Sequence, residues 1–329
     1  VAIVYTNSFR FLPSAYDPVF TGASYSARLA GRFPGGYAYG TTSAVTVAGA
    51  RTVSIRPTTA ANMGSWSLGF ASYATTLART IQFSTGTYSD TLSMPLGGAP
   101  VAAASTSTSA WTIHDPTPVP NGWQWFCVQA VANVTTGGFF KVYLNGTLIA
   151  SKVGDTVPPV PYDNVFVVTI GAALAGQEGA IGDLVISDDP NYLIPDSRVD
   201  MLLPNADVGA VWTPSTGTSL FPLVADSGGP SLNADYISSG TVGAHQQFDL
   251  ENLPHSPSTV LAVATVASTL KSDAGPRTMA VTLNGVDGPA VDSGLQDWRR
   301  KVYETNPSGG AAWSAADVNA ARVGVKVVT

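Results

Sequence analysis

Of the three Asn-Gly dipeptides in the chain, the two that close a short apolar run most narrow the folds open to it. They stand at Asn145-Gly146 within VYLNG and at Asn284-Gly285 within VTLNG. A two-residue type I′ turn needs φ > 0 at both central positions, which Asn and Gly accept most readily. Each dipeptide therefore predicts an antiparallel hairpin, and the echo reads as convergent turn chemistry rather than a duplicated domain. Around the first, Trp123, Trp125, Phe126, Cys127, Val128, Ala130 and Val131 form an apolar strand. Gly137-Gly138 turns the chain, and Phe139–Leu144 and Thr147–Ala150 are the hairpin arms. Composition agrees. Glu178, Glu251 and Glu304 are the only glutamates and charged residues make up 12%, so the usual material of helix surfaces is missing. Hydrophobic residues at 45% are enough for a core and exclude a disordered chain. The expected fold class is all-β.

With 329 residues the chain is long enough for two domains of about 100–200 residues each. Further strands are expected at Ala2–Tyr5, Tyr25–Leu29, Ala44–Val47, Arg51–Arg56, Trp66–Tyr73, Ala78–Phe83, Thr91–Met94, Val165–Ile170 and Ile181–Ile186. Residues 97–110 read as a low-complexity surface loop or exposed edge. The proline-rich segment 188–204 marks a boundary between 1–195 and 196–329. Strands in the second half are expected at Leu220–Val224, Asp235–Ile237, His245–Leu250, Val260–Ser268, Arg277–Leu283, Lys301–Glu304 and Val325–Val328. Ser314 and Asp317 have the spacing of a capping box and predict a short helix over Ala315–Ala321.

The formal net charge is −6 and no basic run occurs, which argues against nucleic acid as a partner. Cys127 is the single cysteine, so an internal disulfide framework and a cysteine-built zinc site are excluded. The longest apolar run, near Val260–Ala267, is too short to span a bilayer. The first residues lack the basic and apolar regions of an export signal, so synthesis in a cytoplasm is expected.

Two resemblances follow. The run containing Trp125, Tyr143, Leu144, Asn145, Gly146, Ile170, Gly171, Ile181, Gly182, Asp183, Leu184, Ile186 and Asp188 resembles the concanavalin A-like, laminin G-like jelly roll over about 120–190. It implies a jelly roll for 1–195. Residues 200–329 resemble structural proteins of tailed bacteriophages. The likeness is carried by Trp212, DSGGPSLNADYI and HQQFDLENLP, and above all by Tyr303, Asn306, Pro307, Gly310, Trp313, Asp317, Val318, Asn319, Gly324, Val325 and Lys326. This second resemblance implies a smaller sandwich with one short helix and a place in a virion. The expectation is a non-enzymatic tail component of homo-oligomeric build, displaying the jelly roll to host surface glycans and contacting other virion proteins. A head-decoration protein and a stand-alone carbohydrate-binding or carbohydrate-cleaving protein are the alternatives.

Glycosidases of this fold use closely spaced carboxylates as acid and base or nucleophile, and no Glu-x-Asp-x-x-Glu run is present; Asp183 and Asp188 are five apart. His114, His245 and His255 lack metal-ligand spacing, and His114-Asp115 sits in a proline-rich stretch with no Gly-x-Ser-x-Gly elbow to supply a nucleophile. Cys127, between Phe126 and Val128, reads as a buried inert thiol. Asp188, Asp189 and Asn191 cluster as oxygen donors; they suit either a calcium ion or an Asx turn, with the turn favoured. Gly35-Gly36 and Gly228-Gly229 do not open helices, which speaks against phosphate cradling. Trp111, Trp123, Trp125 and Tyr143 are the aromatics available to stack on sugars, with Trp125 expected in the core. Asn133 and Asn145 fall in sequons, the latter already occupied by the turn. No cofactor is expected.

Overall fold

The computed structural model describes residues 3–7, 20–21, 27–30, 37–41, 51–55, 65–74, 79–85, 88–95, 98–105, 109–131, 137–154, 156, 167–172, 179–225, 235–272, 275–292 and 297–329. The chain divides into two compact units, Val1–Val199 and Asp200–Thr329. The strand expected at Ala44–Val47, Glu178, Asn133 and the glycine pairs at 35–36 and 228–229 lie outside the described residues.

The first unit is built from β1 (Ile3–Asn7), β2 (Phe20–Thr21), β3 (Ala27–Ala30), β4 (Tyr37–Thr41), β5 (Arg51–Ile55), β6 (Ser65–Ala74), β7 (Arg79–Thr85), β8 (Tyr88–Met94), β9 (Val101–Ser105), β10 (Trp111–Ile113), β11 (Gly122–Val131), β12 (Gly138–Leu144), β13 (Thr147–Gly154), β14 (Val167–Ala172) and β15 (Gly179–Ser187). A nine-stranded sheet runs β10-β13-β12-β11-β6-β15-β4-β3, with β1 also on β15. A six-stranded sheet runs β2-β5-β14-β7-β8-β9. Alternation selects the faces. Trp66, Leu68 and Phe70 of β6 and Phe126, Val128 and Ala130 of β11 point between the sheets, where they meet Ile81, Phe83, Leu92 and Met94 of the second sheet. Phe83 stacks on Phe140 at 4.2 Å and 9°. Burying such side chains stabilises the sandwich by roughly 1.5–3 kcal/mol each. The all-β class is therefore what the chain adopts, and the first unit is a two-sheet sandwich. Part of 97–110 is the exposed edge rather than a loop: β9 pairs with β8 at the end of the six-stranded sheet.

The hairpin at 145–146 has φ of 49° and 85°. Asn145 also clamps the neighbouring strand. Its Oδ1 accepts from Trp125 N at 3.0 Å, and its own N donates to Trp125 O at 2.9 Å. The second hairpin repeats the device, with φ of 52° and 79° at Asn284 and Gly285. There Asn284 Oδ1 accepts from Arg322 N at 2.9 Å, and Asn284 N donates to Arg322 O at 2.8 Å. The same turn chemistry thus serves two different sheets.

The second unit comprises β16 (Pro204–Val208), β17 (Thr213–Pro214), a 3-10 turn at Phe221–Leu223, β18 (Ile237–Ser238), β19 (His245–Leu250), β20 (Val263–Thr269), β21 (Thr278–Leu283), β22 (Val286–Asp287), β23 (Val291–Asp292), β24 (Asp297–Tyr303), α1 (Ala315–Asn319) and β25 (Arg322–Val327). Its six-stranded sheet runs β16-β19-β25-β21-β22, with β23 on β21. The pairs β17-β18 and β20-β24 stand beside it. Leu283 packs with Tyr303, Trp313, Val318 and Ala321, and Trp313 Nε1 donates to Tyr303 O at 3.0 Å. Of the C-terminal residues singled out from sequence, Tyr303, Trp313 and Val318 therefore belong to the core. Ser314 and Asp317 form the expected capping box. The strand expected at Leu220–Val224 is a 3-10 turn instead. Asp207 accepts from Leu220 N at 2.8 Å and Phe221 N at 2.6 Å, and Pro222 suits a first helical turn because it has no N–H to satisfy.

Candidate functional site

On the outer face of the nine-stranded sheet, polar and ionisable side chains from five strands lie side by side. Register places Thr112 opposite Ser151, Ser151 opposite Lys141, Lys141 opposite Gln129, and Gln129 opposite Ser67. Directly opposed residues share a face, with Cβ atoms about 4.5–5.5 Å apart, so these polar groups form one row across five strands. Tyr143 lies two residues along from Lys141 on the same face, and its hydroxyl donates to Gln129 Oε1 at 3.2 Å. His114 follows β10 and places Nε2 2.8 Å from Ser151 Oγ. Lys141 Nζ stands 4.5 Å from the centre of the Phe139 ring. Among the described residues Lys141 makes no ion pair.

A strap, residues 188–199, covers the adjoining part of this face. Ser67 Oγ donates to Asp189 O at 2.9 Å, Trp125 Nε1 to Ile194 O at 3.1 Å, and Val199 N to Asp183 Oδ1 at 3.0 Å. Gly69 makes the approach possible: a Cβ there would lie 2.6 Å from Trp125 Cζ2 and 2.9 Å from Ile194 Cγ2. The strap buries Trp125 and Cys127, and burial pushes the Cys127 thiol up to about 12 against an opposing hydrogen bond from the Ile194 backbone. Burial first, and the Cys127 sulfur second, raise the Tyr143 phenol. Tyr73 and Trp123 pack at 5.4 Å and 47° farther along the same face. Gln129, Ser151 and Ser67 are buried, so the strip between the strap and the β10 edge presents the Thr112 hydroxyl, the His114 imidazole, the Tyr143 phenol and the Lys141 ammonium, with Gln129 and Ser151 holding Tyr143 and His114 from beneath. These groups can hydrogen-bond to ligand hydroxyls, neutralise an acidic group and move a proton.

The residues singled out from sequence fall as follows. Trp125 is buried, but under the strap rather than between the sheets. Trp111 packs partly into the inter-sheet core. Asp115 does not partner His114; it accepts from Thr117 N at 2.9 Å, and hydrogen bonds from the Thr117 hydroxyl first and its backbone second lower the carboxyl below the usual range. Asp189 Oδ1 accepts from Asn191 N at 2.8 Å, so the 188–191 cluster forms an Asx turn. No group of three or more His, Cys, Asp or Glu placed to hold a metal occurs among the described residues. Glu251 accepts from Leu203 N at 3.1 Å, a structural role. His255 Nδ1 lies 3.3 Å from Asp200. Sequence reading missed the joint site of Gln129, Lys141 and Ser151. The signal was present: in FFKVYL, Phe140, Val142 and Leu144 alternate with Phe139, Lys141 and Tyr143, which marks a second, polar-bearing face.

No family model and no curated protein matches the chain. Solved structures do. An endo-β-1,4-glucuronan lyase from Trichoderma reesei matches with 10% identity and a TM-score of 0.41, over 58% of this chain and 100% of the other. The alginate lyase Aly36B matches with 10% identity and a TM-score of 0.32, over 49% and 82%. The Caenorhabditis elegans galectin LEC-6 matches with 16% identity and a TM-score of 0.28, over 45% and 95%. The expectation of a non-enzymatic chain is corrected by this comparison, since two of these structures are polysaccharide lyases by name. The missing carboxylate pair, on which that expectation rested, is a requirement of hydrolysis by acid and base carboxylates.

Proposed function

We propose that the first unit binds an acidic polysaccharide along the outer face of its nine-stranded sheet. The observation that carries the reading is the single face shared by Lys141, Tyr143, Thr112 and His114, held from beneath by the buried Gln129 and Ser151, in which the Lys141 charge has no protein counter-ion among the described residues. Adjacent ring hydroxyls match the Thr112 hydroxyl, the Tyr143 phenol and the His114 imidazole, and a sugar carboxylate matches the ammonium. The test is to measure binding of the full chain to a polyuronate and to a neutral glucan of similar length, at low and high salt, while following release of new reducing ends. Salt-sensitive binding to the polyuronate, lost in Lys141→Ala and weakened in Gln129→Leu, is expected. Polyuronate binding that survives Lys141→Ala unchanged would sink the reading.

A second reading concerns where the protein works. The resemblance of residues 200–329 to tailed-phage structural proteins supports a glycan binder carried on a phage tail, in contact with other virion proteins. Its test is the presence and position of the chain in purified particles. A position on the head would favour the decoration role, and absence from particles would remove the virion.

A further inference from the structure

The polar face of the second unit's six-stranded sheet holds a feature that the sheet-face reading of the first unit leaves unused. Where β19, β25, the 284–285 turn and the end of α1 meet, a cavity of about 550 Å³ opens. It is lined by Gln247, Asp249, Asn284 and Arg322, with Gly285 and Ala321 among its small residues. That volume lies within the roughly 300–1,000 Å³ of small-ligand pockets.

The lining selects a ligand class. Gln247 and Asp249 are i and i+2 on β19, so they share a face. Arg322 is opposite Asp249 and Gly324 opposite Gln247, so no side chain rises from β25 beside the Gln247 amide. Arg322 Nε donates to Asp249 Oδ1 at 2.8 Å, with the two side chains 50% and 48% exposed. An exposed pair of this kind contributes little to stability, so its outward-facing N–H and oxygen groups are available to a ligand. The Gln247 side-chain amide forms no hydrogen bond among the described residues. Gly285 leaves the turn open, since a Cβ there would meet only Gln247 Nε2, at 3.9 Å. The next ion pair on this face, Lys326 with Asp287 at 2.6 Å, is likewise internally compensated. The pocket therefore offers paired donors and acceptors with no surplus charge. Anions and cations gain nothing from such a site, whereas a neutral ring with adjacent hydroxyls meets a donor and an acceptor at each planar group.

We propose that this pocket binds a single neutral sugar ring, separately from the acidic-polysaccharide face of the first unit. The experiment is saturation-transfer NMR on the full chain with a panel of methyl glycosides of glucose, galactose, mannose and N-acetylglucosamine, each α and β. Transfer to at least one glycoside is expected, weakened about tenfold in affinity by Gln247→Leu, the usual cost of removing one hydrogen-bonding partner. Gln247→Ala should do the same, and thermal melting of both variants should match the parent because the side-chain amide forms no hydrogen bond among the described residues. Lys141→Ala should leave the transfer intact. No transfer from any glycoside, or transfer unchanged in both Gln247 variants, would overturn the assignment. Loss in Lys141→Ala alone would move neutral-sugar binding to the first unit.

Discussion

Lys152 on β13 and Asp90 on β8 form an ion pair across the two sheets of the first unit, with both side chains fully buried. The pair sits among the apolar residues that join the sheets, so it ties sheet to sheet at a fixed register. Breaking a buried pair leaves a lone charge away from water, at a cost of about 3–5 kcal/mol. Replacing both partners with apolar groups of similar volume removes that penalty. Asp90→Ala and Lys152→Ala are each expected to lower unfolding stability by that amount in a denaturant titration, and Asp90→Leu with Lys152→Met to recover most of it. A single variant within about 1 kcal/mol of the parent would show that the pair is solvated in solution.

The 145–146 hairpin makes a second test. Gly146 has φ of 85° with nothing within 4 Å of where a Cβ would stand, so substitution there is a matter of backbone strain alone. A left-handed conformation costs an ordinary L-residue about 1–2 kcal/mol, and a β-branched one resists it more. Gly146→Val should therefore cost more than 1 kcal/mol, against about 0.5 kcal/mol for ordinary surface changes. Equal urea midpoints for parent and variant would refute the turn assignment.

That hairpin was legible because its chemistry is local. Two residues set the turn, and the alternation around them set the strands. Sequence also identified the capping box at Ser314 and Asp317, again a contact across three residues. What it could not supply came from distant chain. Leu220–Val224 has the composition of a strand, yet the carboxylate of Asp207 caps its backbone from outside the segment. Trp125 reads as inter-sheet core because burial is what its size demands. Alternation in β11 places it on the opposite face from Phe126, and only the return of residue 194 covers it there. The candidate site has the same origin, since Lys141, Gln129 and Ser151 come together through strand register rather than through spacing in the chain.

The capping box gives the second unit an acid-dependent term. Hydrogen bonds from the Ser314 side chain and then its backbone hold the Asp317 carboxyl below its ordinary value of 3.8. Because the folded-state value is the lower one, the stabilisation is present in full above the unfolded value and is lost as pH falls through the folded value. Stability should therefore fall as pH drops below about 4, and the slope should be shallower in Asp317→Asn. Identical slopes for the two proteins between pH 5 and 2, in steps of about half a unit, would remove the cap from the account.

The strap over the nine-stranded sheet can be tested through the thiol that it covers. Cys127 is buried and its thiol is pushed up to about 12, so at pH near 8 almost none is thiolate and reagent has no direct access. A disulfide reagent should therefore leave the native protein unmodified and react fully once the chain is unfolded. Ile194 has no exposed surface and packs against Gly69 and Trp125 on the face away from the inter-sheet core. Ile194→Ala should cost about 2 kcal/mol or more of local packing, and that loss falls on strap opening rather than on global unfolding. Labelling of Cys127 should accelerate about thirtyfold, since each 1.4 kcal/mol is a factor of ten, while the inter-sheet core keeps its cooperative transition. If labelling in Ile194→Ala instead tracks global unfolding, the strap and the sandwich open as one unit and residues 188–199 belong to its core.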